Sequence, residues 1–191
     1  MKYPIAEIFR SIQGEGHFAG TPCTFIRLAG CPLSCSFCDT DKTQKYYLEG
    51  VDILKKVIEL DRDMVVLTGG EPTMYDLRSL VTTLHDSIRH VHLETNGWQR
   101  APADVSWVSL SPKPGCIPNV GRPANEVKWL VPLWSLRDIQ RLRGLGCEHF
   151  VQPVNSRTKL NKKSVQKCLE YIEKDPTLHL SIQLHKVIGV K

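Results

Sequence analysis

Thr24-Phe25-Ile26-Arg27-Leu28-Ala29-Gly30-Cys31-Pro32-Leu33-Ser34-Cys35-Ser36-Phe37-Cys38 opens with five residues of strand character and ends in three cysteines within eight positions. The apolar and β-branched residues at 24–28 predict a strand, and Gly30 with Pro32 predicts where it stops. The thiol-bearing segment therefore follows the C-terminal end of a strand. The same pattern recurs along the chain. Apolar runs at 64–67, 90–94, 107–110, 126–131, 149–152 and 178–184 read as further strands. The stretches 51–60, 76–89, 135–144 and 162–174 carry apolar residues at helical spacing, as with Leu77, Leu80, Val81, Leu84 and Ile88. Ser135 and Asn161 are the expected N-caps of the last two.

Strands alternating with helices, with no tight Asn-Gly hairpin between them, predict right-handed crossovers and hence an α/β fold. Four helices serving seven strands, and the stretch 111–125 with Pro112, Pro114, Pro118 and Pro123, argue against a closed eightfold barrel. The expected architecture is a partial β/α barrel with a mostly parallel sheet of about six or seven strands. Polar residues gather after each predicted strand, at 30–40, 68–72, 95–97, 111–113, 152–155 and 183–185. Any one of these segments reads equally well as an ordinary turn. As a set they predict a site, because in parallel α/β folds the C-terminal strand ends share one face.

The 191 residues, 41% hydrophobic and 24% charged, suit a single domain spanning 1–191. The N-terminus has no apolar run of signal-peptide length, and no stretch approaches the roughly 18 apolar residues of a membrane span. A cytoplasmic location is expected. The formal charge of +5 sits in the tail, where residues 151–191 hold eight Lys or Arg against three Asp or Glu. A solvated basic face, or one that meets an acidic partner, accounts for it. No aromatic-basic repeat accompanies it, so direct nucleic-acid binding is not expected.

Seven cysteines is an odd number for a disulfide framework, and thiols stay reduced in a cytosolic chain. Cys31, Cys35 and Cys38 are clustered as C-x3-C-x2-C, whereas Cys23, Cys116, Cys147 and Cys168 are scattered. Soft thiolates select zinc or iron–sulfur clusters. Structural zinc favours C-x2-C pairs and four ligands, whereas a cluster held by three cysteines leaves one iron free to bind something else. Spacing alone leaves open iron–sulfur, zinc, simple burial, and a fourth ligand from Cys23 or Cys116.

C-x3-C-x2-C after the first predicted strand, with Phe37 before the last cysteine, resembles the signature of the radical S-adenosylmethionine superfamily. Within it the chain is similar to the 7-carboxy-7-deazaguanine synthase family. The similarity runs through the segments 9–16, 25–31, 38–40, 94–97, 111–113 and 183–186. The resemblance implies a 4Fe–4S cluster on Cys31, Cys35 and Cys38 whose open iron chelates S-adenosylmethionine. Reductive cleavage would give methionine and a 5′-deoxyadenosyl radical that takes a hydrogen from C6 of 6-carboxy-5,6,7,8-tetrahydropterin. Ring contraction with loss of ammonia would follow, as in queuosine biosynthesis, with S-adenosylmethionine regenerated.

The resemblance also assigns positions. Phe37, Cys38, Asp39, Gly70, Ser111, Pro112, Lys113, Gln152 and Asn155 match segments that hold S-adenosylmethionine, and Thr40 matches a Mg2+ ligand. Ile12, Gln13, Gly14, Glu15, Arg27, Thr68, His185 and the C-terminal Lys191 match substrate contacts. Physically, Arg27 offers a planar fork for a carboxylate and Glu15 an acceptor for aminopyrimidine nitrogens. Gly14 and Gly70 permit close backbone approach. The resemblance further implies a homodimer, and a flavodoxin-type electron donor is expected to dock on Lys159, Lys162, Lys163 and Lys167. The rivals are a glycyl-radical activating enzyme, which lacks the contexts at 13–16 and 38–40, and a non-catalytic zinc-binding module.

Overall fold

The computed structural model describes residues 1–156 and 160–190. Its strands are β1 (Lys2–Ile12), β2 (Pro22–Leu28), β3 (Tyr46–Glu49), β4 (Met64–Gly69), β5 (His90–Thr95), β6 (Trp107–Leu110), β7 (Ala124–Val131), β8 (Gly146–Pro153) and β9 (His179–Leu180). Its helices are α1 (Gly50–Glu59), α2 (Arg78–His85), α3 (Leu136–Arg141), α4 (Lys162–Lys174) and α5 (Leu184–Ile188). All nine strands join in one sheet of order β3-β1-β2-β4-β5-β6-β7-β8-β9. The pairings from β2 through β9 are parallel, whereas β1 runs antiparallel to both β2 and β3. The sheet is mostly parallel and does not close, as the alternation of strands and helices predicts.

Three expectations are corrected. The sheet has nine strands rather than six or seven, because β1 and β3 were not legible: Pro4 argues locally against a strand, and the pairing of β1 slips between Ile5 and Glu7. The stretch 178–184 does not run as one strand, since β9 stops at Leu180 and 184–188 turn into α5. The helix expected at 76–89 is the shorter α2, from Arg78 to His85, and a separate short turn at Pro72–Met74 precedes it. Both predicted N-caps hold. Ser135 Oγ accepts from Asp138 N, and Asn161 Oδ1 accepts from Lys163 N and Ser164 N.

Apolar side chains on one face of the sheet bury against the helices. Ile53 and Val57 of α1, Leu80, Val81 and Leu84 of α2, and Cys168 and Tyr171 of α4 pack onto Ile26, Leu67, Leu93, Val127, Trp129 and Val151. The opposite, concave face carries the polar lining of a cavity and, beside it, a small apolar cluster of Cys23, Phe25, Met64 and Val66. Its lower end is stopped by the connection from β1 to β2, which folds into the concavity. Phe18 packs there against His92 and Trp107, with ring centroids 4.6 and 5.0 Å apart. Burial lowers the His92 pKa to about 4, so this ring is neutral packing. Gly16 makes the entry possible: its φ is +65°, and a Cβ there would lie 2.4 Å from the Glu126 carboxylate.

Candidate active site

A cavity of about 450 Å³ lies at the C-terminal ends of the parallel strands. Its lining includes Ile12, Gln13, Gly14, Glu15, Arg27, Cys31, Cys35, Phe37, Cys38, Asp39, Thr40, Thr68, Gly70, Ser111, Lys113, Gln152, Asn155 and His185. One assigned residue stands apart from the lining. Pro112 is buried beside the cavity, where its carbonyl accepts from Trp134 Nε1 at 3.1 Å. Lys191 lies outside the described residues, as does Lys159.

The cysteine loop is rooted by close backbone contact with the end of β4. Gly70 N donates to Leu28 O and Glu71 N to Gly30 O. A Cβ on Gly70 would fall 1.9 Å from Gly30 O and 2.9 Å from Cys31 Cβ. Side-chain-free residues are thus required here by the loop that carries the thiols. Glu71 then ties the second loop to the third. Its carboxylate, 1% exposed, accepts from Thr73 N and Oγ1, from Thr95 Oγ1 and from Asn96 N.

All three cysteines line the cavity. Burial raises the Cys35 pKa; Lys113 and Lys42 oppose that rise, and the neighbouring Cys38 and Cys31 add to it. Two cations beside three thiols suit a group that needs thiolates. Among the described residues no three His, Cys, Asp or Glu side chains form a single-ion site; in a cubane each cysteine holds a different iron. Cys23 is no fourth ligand. It is fully buried among Phe25, Met64 and Val66, with its thiol pushed up to about 12. Cys116 does not line the cavity. The donor set therefore fits a three-cysteine cluster with an open iron, and it does not supply the four ligands of structural zinc. Thr40, with Asp39 and Asp41 beside it in the lining, provides the oxygen donors that a hard cation prefers.

The floor is an ionic network. Lys128, on β7, is buried and donates to Glu15 Oε2 at 2.6 Å and to Glu94 Oε1 at 3.2 Å. Gln183 Nε2 donates to Glu15 Oε1 at 2.9 Å, and Thr68 Oγ1 to Glu94 Oε2 at 2.9 Å. Burial opposes the charge on Glu15, but Lys128 and Gln183 outweigh it and bring its pKa down to about 2. Burial likewise opposes the charge on Lys128, and Glu15, Glu94 and Glu126 overcome it, so its pKa is raised. Lys113 goes the other way: burial and Lys128 lower it, and its amino group rests 2.7 Å from both Ser111 O and Ser111 Oγ. Arg27 offers its fork beside the cavity while its Nε donates to Glu7 at 2.8 Å. His185 packs against Gly14, where a Cβ would meet its Nδ1 at 2.0 Å. Lys186 pairs with Asp39, joining α5 to the cysteine loop.

Sequence reasoning missed Glu7, Glu94 and Lys128 as parts of the site. Glu94 stands within the 94–97 segment, so its place was signalled without a role. Lys128, inside the predicted strand 126–131, was the one basic residue in an apolar run, which is the signal that could have found it.

Residues 25–108 match the Radical SAM superfamily. The whole chain is 36% identical to the 7-carboxy-7-deazaguanine synthase of Bacteroides thetaiotaomicron over 192 residues, covering 100% of both chains. It is 34% identical to the 7-carboxy-7-deazaguanine synthase of Synechocystis sp., covering 100% of this chain and 95% of that one. The crystal structure of QueE from Escherichia coli superposes with a TM-score of 0.79 at 28% identity, covering 97% of this chain and 95% of the other. End-to-end kinship of this degree, together with three thiols on the loop after β2, means that the chain belongs to the 7-carboxy-7-deazaguanine synthase family of the radical S-adenosylmethionine superfamily.

Proposed function

We propose that this single-domain chain is a radical S-adenosylmethionine carbon–nitrogen lyase that converts 6-carboxy-5,6,7,8-tetrahydropterin to 7-carboxy-7-deazaguanine with loss of ammonia, serving queuosine or related deazapurine synthesis. One observation carries the assignment: the C-x3-C-x2-C thiols and Gln13, Glu15, Arg27 and Thr68 line a single cavity, although they come from separate segments. When bound, the 4Fe–4S cluster and S-adenosylmethionine supply a 5′-deoxyadenosyl radical for abstraction of a hydrogen atom. The chain's own residues bind and orient. Cys31, Cys35 and Cys38 hold the cluster. Phe37, Asp39, Gly70, Ser111, Lys113, Gln152 and Asn155 surround the S-adenosylmethionine, and Pro112 supports that wall from behind. Glu15 and Gln13 receive the aminopyrimidine edge, Arg27 the carboxylate, and Thr40 a Mg2+ ion.

Anaerobic turnover of the reconstituted protein with carboxytetrahydropterin, S-adenosylmethionine, Mg2+ and dithionite tests this assignment. Mass spectrometry should detect the carboxydeazaguanine, and recovery of unchanged pterin would refute it. Omitting Mg2+ should slow turnover, as should Thr40→Val.

The same reading includes a reducing cytoplasmic setting, a homodimer and a flavodoxin-type donor. Lys162 and Lys163 are exposed where α4 begins, beside the Asn155 wall of the cavity, which suits an acidic donor approaching the cluster. Lys167 is engaged instead with Glu170 at 2.9 Å. Reversing the charges of Lys162 and Lys163 should slow donor-driven turnover and leave dithionite-driven turnover intact. Light scattering on the eluted protein should give twice the chain mass.

A further inference from the structure

We propose that Lys128 is a positioning residue for substrate recognition: its ammonium fixes the Glu15 and Glu94 carboxylates side by side on the cavity floor as two anchored acceptors for a ligand edge rich in N–H donors. The inference rests on the substrate reading above, since the aminopyrimidinone edge of a pterin presents such donors.

The two carboxylates reach the floor from unrelated places. Glu15 rides on the β1–β2 connection and Glu94 on β5. The neutral Gln13 side chain links them, its Nε2 donating to Glu94 Oε1 at 3.2 Å and its Oε1 accepting from Glu15 N at 3.1 Å, but it leaves the Glu15 carboxylate itself to Lys128 and Gln183. Lys128 bridges both, at 2.6 and 3.2 Å, with its side chain only 4% exposed. A lysine suits this place better than an arginine, because a compact ammonium with rotatable donors can serve two acids in different directions. Gln183 and Thr68 each occupy a further position on one carboxylate, which limits how either can rotate. Ser109, opposite Glu94 in the sheet, adds a buried hydroxyl that lines the cavity and has no partner among the described residues. A floor with fixed acceptors and an unspent hydroxyl is built for a polar ligand.

Without the cation, two acids in one poorly solvated site would share a proton. The other charged or titratable groups around Lys128 are Glu126 on the same strand, Lys113 beyond β6 and His185 on α5. From the cavity lining of β4 and β8 come the neutral Thr68 and Gln152, and Glu148 of β8, opposite Glu126, pairs with His17 at 2.9 Å. Glu126 also accepts from His17 N at 2.8 Å, so it is committed to the plug below.

The test is equilibrium binding of 6-carboxypterin, followed by its fluorescence, to cluster-loaded wild-type protein, Lys128→Met, Lys128→Arg and the double variant Glu15→Gln/Lys128→Met, across pH 6 to about 9. Wild-type affinity should show no titration of the floor acids in this range. Lys128→Met should bind on the order of 30-fold more weakly and acquire a new acid–base transition. The double variant should lose that transition because one acid remains, and Lys128→Arg should recover part of the affinity. Thermal melting identifies any unfolded variant, and Lys128→Gln carries the same test should the Met variant not fold. A residue with only a structural role would lower the melting temperature without adding a titration. Affinity equal to wild type in Lys128→Met, or a pH-independent loss that arginine does not restore, would overturn the role of Lys128 alone. Wild-type protein that neither binds nor converts the pterin would overturn the substrate reading and this inference with it.

Discussion

A methyl group on Gly70 would press on the Gly30 carbonyl and on Cys31, so the second half of the Gly-Gly pair acts on the cysteine loop before any cofactor arrives. Gly70→Ala should therefore keep the fold but lose most of its iron after reconstitution, which iron and sulfide analysis will read. Glu15 makes a prediction in the acid range. Its folded pKa of about 2 lies below the ordinary value of 4.5, so its stabilising contribution is complete above pH 4.5 and fades as pH falls toward 2. Urea unfolding of the cluster-free protein between pH 5 and about 2.5 should thus show a fall, shared with Asp76 and Asp175, that Glu15→Gln makes shallower. Residues of this kind were half legible in the sequence. Glu15 was readable as an acceptor, yet its partner Lys128 is 113 positions away, a distance that no local pattern spans.

At the scale of elements, helices announced themselves better than the first strands did. α4 matches its expected span because its apolar residues recur on one face and Asn161 caps it. Asn161 also links the helix to the cavity wall, its backbone N–H donating to Asn155 Oδ1 at 2.9 Å. Asn161→Ala should cost about 1 kcal/mol in urea unfolding. It should leave S-adenosylmethionine binding measured by calorimetry close to wild type, because the N–H that orders Asn155 belongs to the backbone and survives the substitution. The β1–β2 connection was misjudged in a different way. Its motif at 13–16 was noticed, but the hairpin that carries it was not expected, and its entry into the concave face depends on Gly16 facing Glu126 across 110 residues of chain.

The whole molecule divides its labour between two faces of one sheet, an apolar one under the helices and a polar one around the cavity. The C-terminal segment closes the cavity without belonging to the core. No residue of α5 is buried, and polar contacts hold it: Leu184 N donates to Gly14 O at 2.9 Å, and Lys186 pairs with Asp39 and donates to Ser156 O at 3.1 Å. Ending the chain after Gln183 should lower the melting temperature by only a few degrees, while 6-carboxypterin binding weakens at least about tenfold. The sequence by itself determined the parallel α/β layout, the three-thiol loop after a strand, and the family, because periodicity, turn chemistry and ligand spacing are local properties written in consecutive residues. Only the tertiary structure decided that β1 and β3 complete the sheet, that a hairpin plugs its concave face, and that Lys128 joins Glu15 to Glu94. Those outcomes depend on pairing and charge neutralisation between residues far apart in the chain, whose cost and gain exist only once the sheet has brought them together.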